Sequence, residues 1–143
     1  MNKNLRVPYG LSVHGVEEIS AVTKVLKSST QMGKNVSIFE KKISKLFDKR
    51  YGLMVNSGSS ALLLAMETLD FPPGSEIITP VLTFSTTVAP IYQVGCIPHF
   101  IDVEERKYIA DVSQIEKSIN RNTVGIMVPN LLGNIADWKK IYK

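Results

Sequence analysis

The sequence predicts an α/β fold, a mostly parallel sheet layered between helices, and two observations carry that expectation. From residue 51 onward, strand-like apolar runs at 52–56, 76–80, 97–101 and 123–129 alternate with helical segments at 59–69, 84–94 and 111–120. Strands alternating with helices of about ten residues read as βαβ units, and such units place helices on both faces of a parallel sheet. The segment Asp70-Phe71-Pro72-Pro73-Gly74 punctuates the first of these helices, as a helix stop should.

Taken in order, residues 1–12 contain Pro8, Gly10 and Ser12 and read as an extended arm. Val16, Ile19, Val22 and Leu26 then recur at helical spacing, with Glu17 and Glu18 in the first turn where the helix dipole favours acids. Residues 28–33 break the pattern as a loop. A second amphipathic helix follows, with Val36, Phe39, Ile43, Leu46 and Phe47 on one stripe. The expected organisation is an arm and first helix over 1–35 and an α/β domain over 36–143. Another helical pattern begins near residue 136 and stops at Lys143, so the chain reads as the N-terminal part of a longer polypeptide.

Composition narrows the class. At 143 residues, 44% hydrophobic and 21% charged, the chain has the balance of a globular domain. No apolar run approaches the ~20 residues needed to span a bilayer. The N-terminus lacks the apolar stretch of a signal peptide, and a cytoplasmic setting is expected. The single cysteine, Cys96, has no internal partner and reads as a small buried hydrophobe. Two distant histidines, His14 and His99, without a cysteine cluster, predict no metal site. The net charge of +4 is concentrated between Lys24 and Arg50. No aromatic interleaving or recognised motif accompanies it, so nucleic-acid binding is not expected. A solvated helix face and an approach path for an anionic small molecule both fit.

Two stretches carry candidate chemistry. In the first, the apolar run 53–55 enters a turn, Asn56-Ser57-Gly58-Ser59-Ser60, which opens into a Leu/Ala-rich helix. A helix N-terminus leaves about four backbone N–H groups unpartnered and carries partial positive charge, so Gly and Ser there can admit a phosphate. The same residues also suit a plain tight turn and N-cap. The P-loop, dinucleotide and hydrolase-elbow fingerprints are absent. The second stretch, Thr79 to Thr87, places Phe84 among hydroxyls. Its ring could stack on a planar heteroaromatic or simply fill the core. A phosphate cradle beside a stacking platform is what a pyridoxal phosphate site needs.

At this point the residues resemble a family. Gly33 with Phe39-Glu40, Asn56 to Leu62, Pro73 to Pro80, Thr83 to Thr87, Gly95…Pro98…Phe100-Ile101-Asp102, Asp111…Ile115-Glu116 and Gly133-Asn134…Asp137 stand in the order seen in the DegT/DnrJ/StrS-type sugar aminotransferases. The likeness runs from Val7 to the last residue. It implies the N-terminal part of a fold type I large domain, using pyridoxal 5'-phosphate or pyridoxamine 5'-phosphate. It implies that Gly58, Ser59 and Ser60 hold the cofactor phosphate, that Phe84 stacks on its ring, and that Gln31 to Lys34 form a loop near a sugar nucleotide. Asp102 and Asp111 fit family positions and are read as structural.

Two departures resemble the nucleotide-sugar 3-dehydrase branch. They are Ser59-Ser60 where G-T-A-A is usual, and Gly133-Asn134 where H-x-x-G-Q is common. The resemblance implies a nucleotide-linked keto-deoxy sugar substrate in cell-surface, lipopolysaccharide or secondary-metabolite synthesis, an amino donor and a homodimer. For a dehydrase it implies an iron–sulfur reductase. The catalytic aspartate and the lysine or histidine over the cofactor are expected beyond Lys143, so this stretch alone is expected to be inactive. The contrasting expectation is a non-catalytic fragment or interaction module.

Overall fold

The computed structural model describes residues 8, 10–31 and 33–143. Most of the arm expected over 1–12, and Met32 of the loop at 28–33, lie outside the described residues. The chain divides into two compact units, Met1–Met54 and Val55–Lys143.

The first unit contains helices α1 (Val16–Ser28) and α2 (Lys34–Leu46). At the start of α1 the Glu18 carboxylate accepts the Gly15 N–H at 2.6 Å, and that bond holds its carboxyl below the usual range. Neither helix buries any of its residues. The apolar stripes that predicted them (Val16, Ile19, Val22 and Leu26; Phe39, Ile43, Leu46 and Phe47) are exposed.

One expected strand is corrected here: residues 52–56 form no strand. A strand needs a neighbour to complete its ladder, and no described strand pairs with this segment. Its Met54 N–H donates instead to Glu40 Oε1 at 2.8 Å. Gly52 lies so close to α2 that an added Cβ would stand 2.8 Å from the Glu40 carbonyl oxygen.

The second unit is the three-layer α/β structure. It runs α3 (Gly58–Leu69), β1 (Glu76–Pro80), α4 (Ser85–Gln93), β2 (Ile97–Ile101), α5 (Val112–Ser118), β3 (Thr123–Ile126), a 3-10 turn at Leu131–Gly133 and α6 (Trp138–Ile141). The sheet is parallel with order β2-β1-β3. Ile78 pairs with His99 and Pro80 with Ile101 on one side of β1, and Ile78 pairs with Ile126 on the other. A register shift between Glu76 and Ile77 accompanies the β3 pairing.

Alternate residues of β1 build two cores. Ile77 packs with Met66 of α3, Ile91 of α4 and Cys96, with Phe71, Val94 and Met127 at the margin. Ile78 packs with Ile101, Ala110 and Ile115 of α5, joined by Ile141 of α6. Period-two alternation with both faces covered explains why Ile77 and Ile78, adjacent in β1, are both fully buried. Cys96 is buried as expected, and burial raises its thiol pKa. Gly95 takes a left-handed φ of 79° in the turn from α4 into β2, a conformation that favours glycine.

Candidate functional site

Sheets wound in this way gather ligands beyond the carboxyl ends of their strands. β1 is central, its successors lie on either side of it, and the residues following Pro80 lead directly into α4. The candidate residues occupy that end of the unit and the neighbouring start of α3.

The N-terminus of α3 is built by serines. Ser57 is the N-cap: its Oγ accepts the Ser60 N–H at 3.2 Å and lies 3.1 Å from Ser60 Oγ. The Ala61 N–H reaches the Ser57 carbonyl. The Gly58 and Ser59 N–H groups have no acceptor among the described residues. An added Cβ at Gly58 would meet nothing within 4 Å, so the approach to these amides is open. Two free amides, a helix dipole and flanking hydroxyls form a donor set suited to a phosphate dianion. The residues present therefore fit a phosphorylated cofactor at its phosphate end.

Helix α4 packs alongside α3. Ser59, Ser60 and Leu63 form one wall of a shallow cleft between them, and Thr86, Ala89, Pro90 and Gln93 form the other. Pro90 sits inside α4 and is buried. It carries no N–H, so the Thr86 carbonyl lacks the donor that a helix normally supplies four residues on. Sequence reading missed Pro90 and Gln93 as part of this cleft: Pro inside a helix argues against a helix, and a lone Gln carries no motif.

Phe84 is the N-cap residue of α4 and is 65% exposed. That exposure decides between its two readings in one respect, because the ring does not fill the core. It stands outside the residues that line the serine cleft, so the structure joins Ser59 and Ser60 in one cleft and leaves Phe84 on the adjoining loop. Below it, Thr83 Oγ1 donates to Thr87 Oγ1 at 2.9 Å and ties the loop to the first turn of α4.

Asp102 and Asp111 do local work. Asp111 caps α5, accepting the Ser113 N–H at 2.9 Å and the Ser113 hydroxyl at 2.7 Å; its other oxygen holds the Gln114 amide at 3.0 Å. These bonds, led by the Ser113 side chain, keep its carboxyl below the usual range. Gln114 in turn accepts the Asp102 N–H. Among the described residues no cluster of His, Cys, Asp and Glu is placed to hold a metal ion, and no helix is long and apolar enough to cross a membrane.

Comparison with known proteins agrees with this architecture. The model of the DegT/DnrJ/EryC1/StrS aminotransferase family matches residues 13–143, and the chain belongs to that family. A GDP-4-keto-6-deoxy-D-mannose 3-dehydratase of Yersinia pseudotuberculosis is 32% identical over 97% of this chain and 37% of its own length. A UDP-N-acetyl-3-dehydro-alpha-D-glucosamine 3-aminotransferase of Acidithiobacillus ferrooxidans is 33% identical over 87% of this chain and 34% of its own. The crystal structure of GDP-4-keto-6-deoxymannose-3-dehydratase with a trapped PLP-glutamate geminal diamine superposes with a TM-score of 0.89 at 31% identity. That match covers 95% of this chain and 37% of the other. The three-layer α/β class is thus that of the pyridoxal phosphate fold type I structures. The chain spans about a third of the length of the curated relatives it matches.

Proposed function

We propose that this chain supplies the cofactor-phosphate site of a pyridoxal phosphate-dependent enzyme acting on a nucleotide-linked keto-deoxy sugar, in the manner of the family's sugar aminotransferases. The observation that carries the reading is the open N-terminus of α3, where the free Gly58 and Ser59 amides stand beside the Ser57 and Ser60 hydroxyls. In this reading Gly58, Ser59 and Ser60 hold the phosphate of pyridoxal or pyridoxamine phosphate, and the exposed ring of Phe84 lies against the pyridine. When bound, the cofactor supplies an electron sink for chemistry beside the sugar carbonyl. The residues of this chain anchor and orient it, and Gln31 to Lys34 contribute to holding the sugar nucleotide. The substrates are the nucleotide sugar and an amino donor, the assembly a homodimer, and the setting the cytoplasm.

A second reading, a pyridoxamine phosphate-dependent 3-dehydrase with an iron–sulfur reductase partner, is favoured by Ser59-Ser60 and Gly133-Asn134. The names of several relatives support it as well.

Pyridoxamine phosphate is the appropriate probe, because it carries no aldehyde to react with surface lysines. Its fluorescence on titration with the chain should report saturable binding that inorganic phosphate competes away. Pyridoxamine without the phosphate should bind far more weakly, and Gly58→Val should abolish binding while leaving the thermal melt unchanged. A chain that binds neither form would overturn the reading in favour of a non-catalytic module.

A further inference from the structure

Two strands that lie side by side in the sheet send their connections to opposite faces. β1 and β3 are paired in parallel, with Ile78 against Ile126 and the Met127 N–H donating to the Ile78 carbonyl at 2.8 Å. The chain leaving β1 passes Phe84 into α4, whose Ile91 packs with Ile77. The chain leaving β3 passes through the 3-10 turn into α6, whose Ile141 packs on the side of Ile78. Neighbouring residues of a strand face opposite sides of a sheet, so the two connections part at the carboxyl edge and leave a crevice between them. Such a switch point is where an open α/β sheet receives its ligand.

On the β1 side of this crevice the loop exposes Phe84; on the β3 side the turn exposes Leu132. Leu132 stands there against its own backbone preference. Its φ of 54° and ψ of 26° are left-handed, a conformation costly for residues other than Gly, Asn and Asp. Of the other non-glycine residues described with positive φ, Asp48 and Asp70 are of the tolerant type. Arg106 and Tyr108 lie in the reversal closed by the Val103–Ala110 bridge.

The turn around Leu132 is firmly bonded. The Asn134 N–H and side-chain amide both donate to the Leu131 carbonyl at 3.0 Å, and Asn130 Oδ1 accepts the N–H of buried Ala136 at 3.2 Å. None of these bonds uses the Leu132 side chain, which belongs to neither core. Glycine or asparagine would make the same turn at lower cost. A strained residue whose side chain is idle within the chain, at the edge where ligands gather, points to a contact with the ligand. The phosphate end limits where that ligand lies. Ser59 and Ser60 face Thr86 across their cleft, and Thr86 belongs to the first turn of α4, just after Phe84.

We propose that Leu132 is a ring-positioning residue, which bounds the crevice opposite Phe84 and packs on the planar ring of the ligand whose phosphate the serines hold. The inference rests on the pyridoxal phosphate reading of the α3 site and adds to it an apolar contact from the β3 side.

The test is fluorescence titration of pyridoxamine phosphate with the 143-residue chain and with Leu132→Asn and Leu132→Met, beside competition by inorganic phosphate and matched thermal melts. Leu132→Asn should bind pyridoxamine phosphate about five- to tenfold more weakly, the loss of one partly buried aliphatic contact. Its melting temperature should be unchanged or higher, since asparagine suits the turn. Leu132→Met should bind nearly as the wild type does. Inorganic phosphate, which has no ring, should bind all three chains equally. Equal affinity of wild type and Leu132→Asn for pyridoxamine phosphate, or an equal loss of inorganic phosphate, would overturn this inference alone. A wild-type chain that does not bind pyridoxamine phosphate would overturn it together with the reading on which it rests.

Discussion

Glu76 Oε2 stands 3.3 Å from His99 Nδ1 and accepts the Asn120 side-chain amide at 2.8 Å. One carboxylate at the start of β1 thereby fastens β2 on one side and the turn entering β3 on the other. The backbone repeats the link, since the Glu76 N–H donates to the Asn122 carbonyl. Glu76 thus links β1 to the middle of β2 and to the turn that enters β3.

The Glu76 carboxyl is held below its ordinary value, first and most by the Asn120 amide; burial, second in size, opposes this, and the hydrogen bond and charge of His99 add to the lowering. A depressed carboxyl pKa contributes stability that is complete above the unfolded value of about 4.3 and is lost as pH falls through the folded one. Melting temperatures followed by circular dichroism from pH 7 to pH 3 should therefore decline less steeply over the acid range in Glu76→Gln than in wild type. Parallel acid limbs for the two proteins would refute the role.

Gly52 tolerates no side chain where it lies. Its missing Cβ would stand 2.8 Å from the Glu40 carbonyl oxygen, which belongs to helical backbone and cannot swing aside. Gly52→Ala should cost about 1–3 kcal/mol, part of it by detaching the Met54 N–H from Glu40. Urea denaturation of the two proteins measures it, and a change below about 0.3 kcal/mol would show that the segment relaxes freely.

Thr79 presents the reverse case. It is fully buried in the central strand, and its Oγ1 has no hydrogen-bond partner among the described residues. A buried hydroxyl left unpaired costs about 1–3 kcal/mol of desolvation. The near-isosteric Thr79→Val should accordingly leave stability unchanged or raise it by about 1 kcal/mol. A loss of stability on denaturant titration would mean that the hydroxyl is satisfied.

For Phe84, stability and binding should separate. An exposed side chain outside the core contributes little to folding, so Phe84→Leu should shift unfolding by no more than about 0.5 kcal/mol. Loss of a stacked ring should weaken pyridoxamine phosphate by about 0.5–1.5 kcal/mol, read as a few-fold to roughly tenfold rise in Kd. Unchanged affinity would remove Phe84 from the site.

Much of this was legible in the residues, for identifiable reasons. The runs at 76–80 and 97–101 form strands over those same residues, because their neighbours lie within the chain and their apolar faces meet α3, α4 and α5. The run at 52–56 has the same apolar character but no strand, because pattern reports what a segment is suited to bury and not whether a partner is at hand. The same distinction explains α1 and α2, whose helical spacing was correct while their apolar stripes stay exposed. The run at 123–129 ends as a strand at Ile126, although the Met127 N–H still reaches the Ile78 carbonyl. In the candidate site, the serine turn was visible because N-cap chemistry is local. The Thr86–Pro90–Gln93 wall was not, because only the packing of α4 on α3 brings it opposite the serines.

The alternation within β1 has one more consequence. Ile77 belongs wholly to one core and its immediate neighbour Ile78 wholly to the other. Removing a single residue early in this strand would exchange the two, sending each into a space shaped for its neighbour and misfitting both helical layers at once. The phasing of five residues is thus a shared reference for everything packed on either side, and an indel there is a far graver lesion than a substitution.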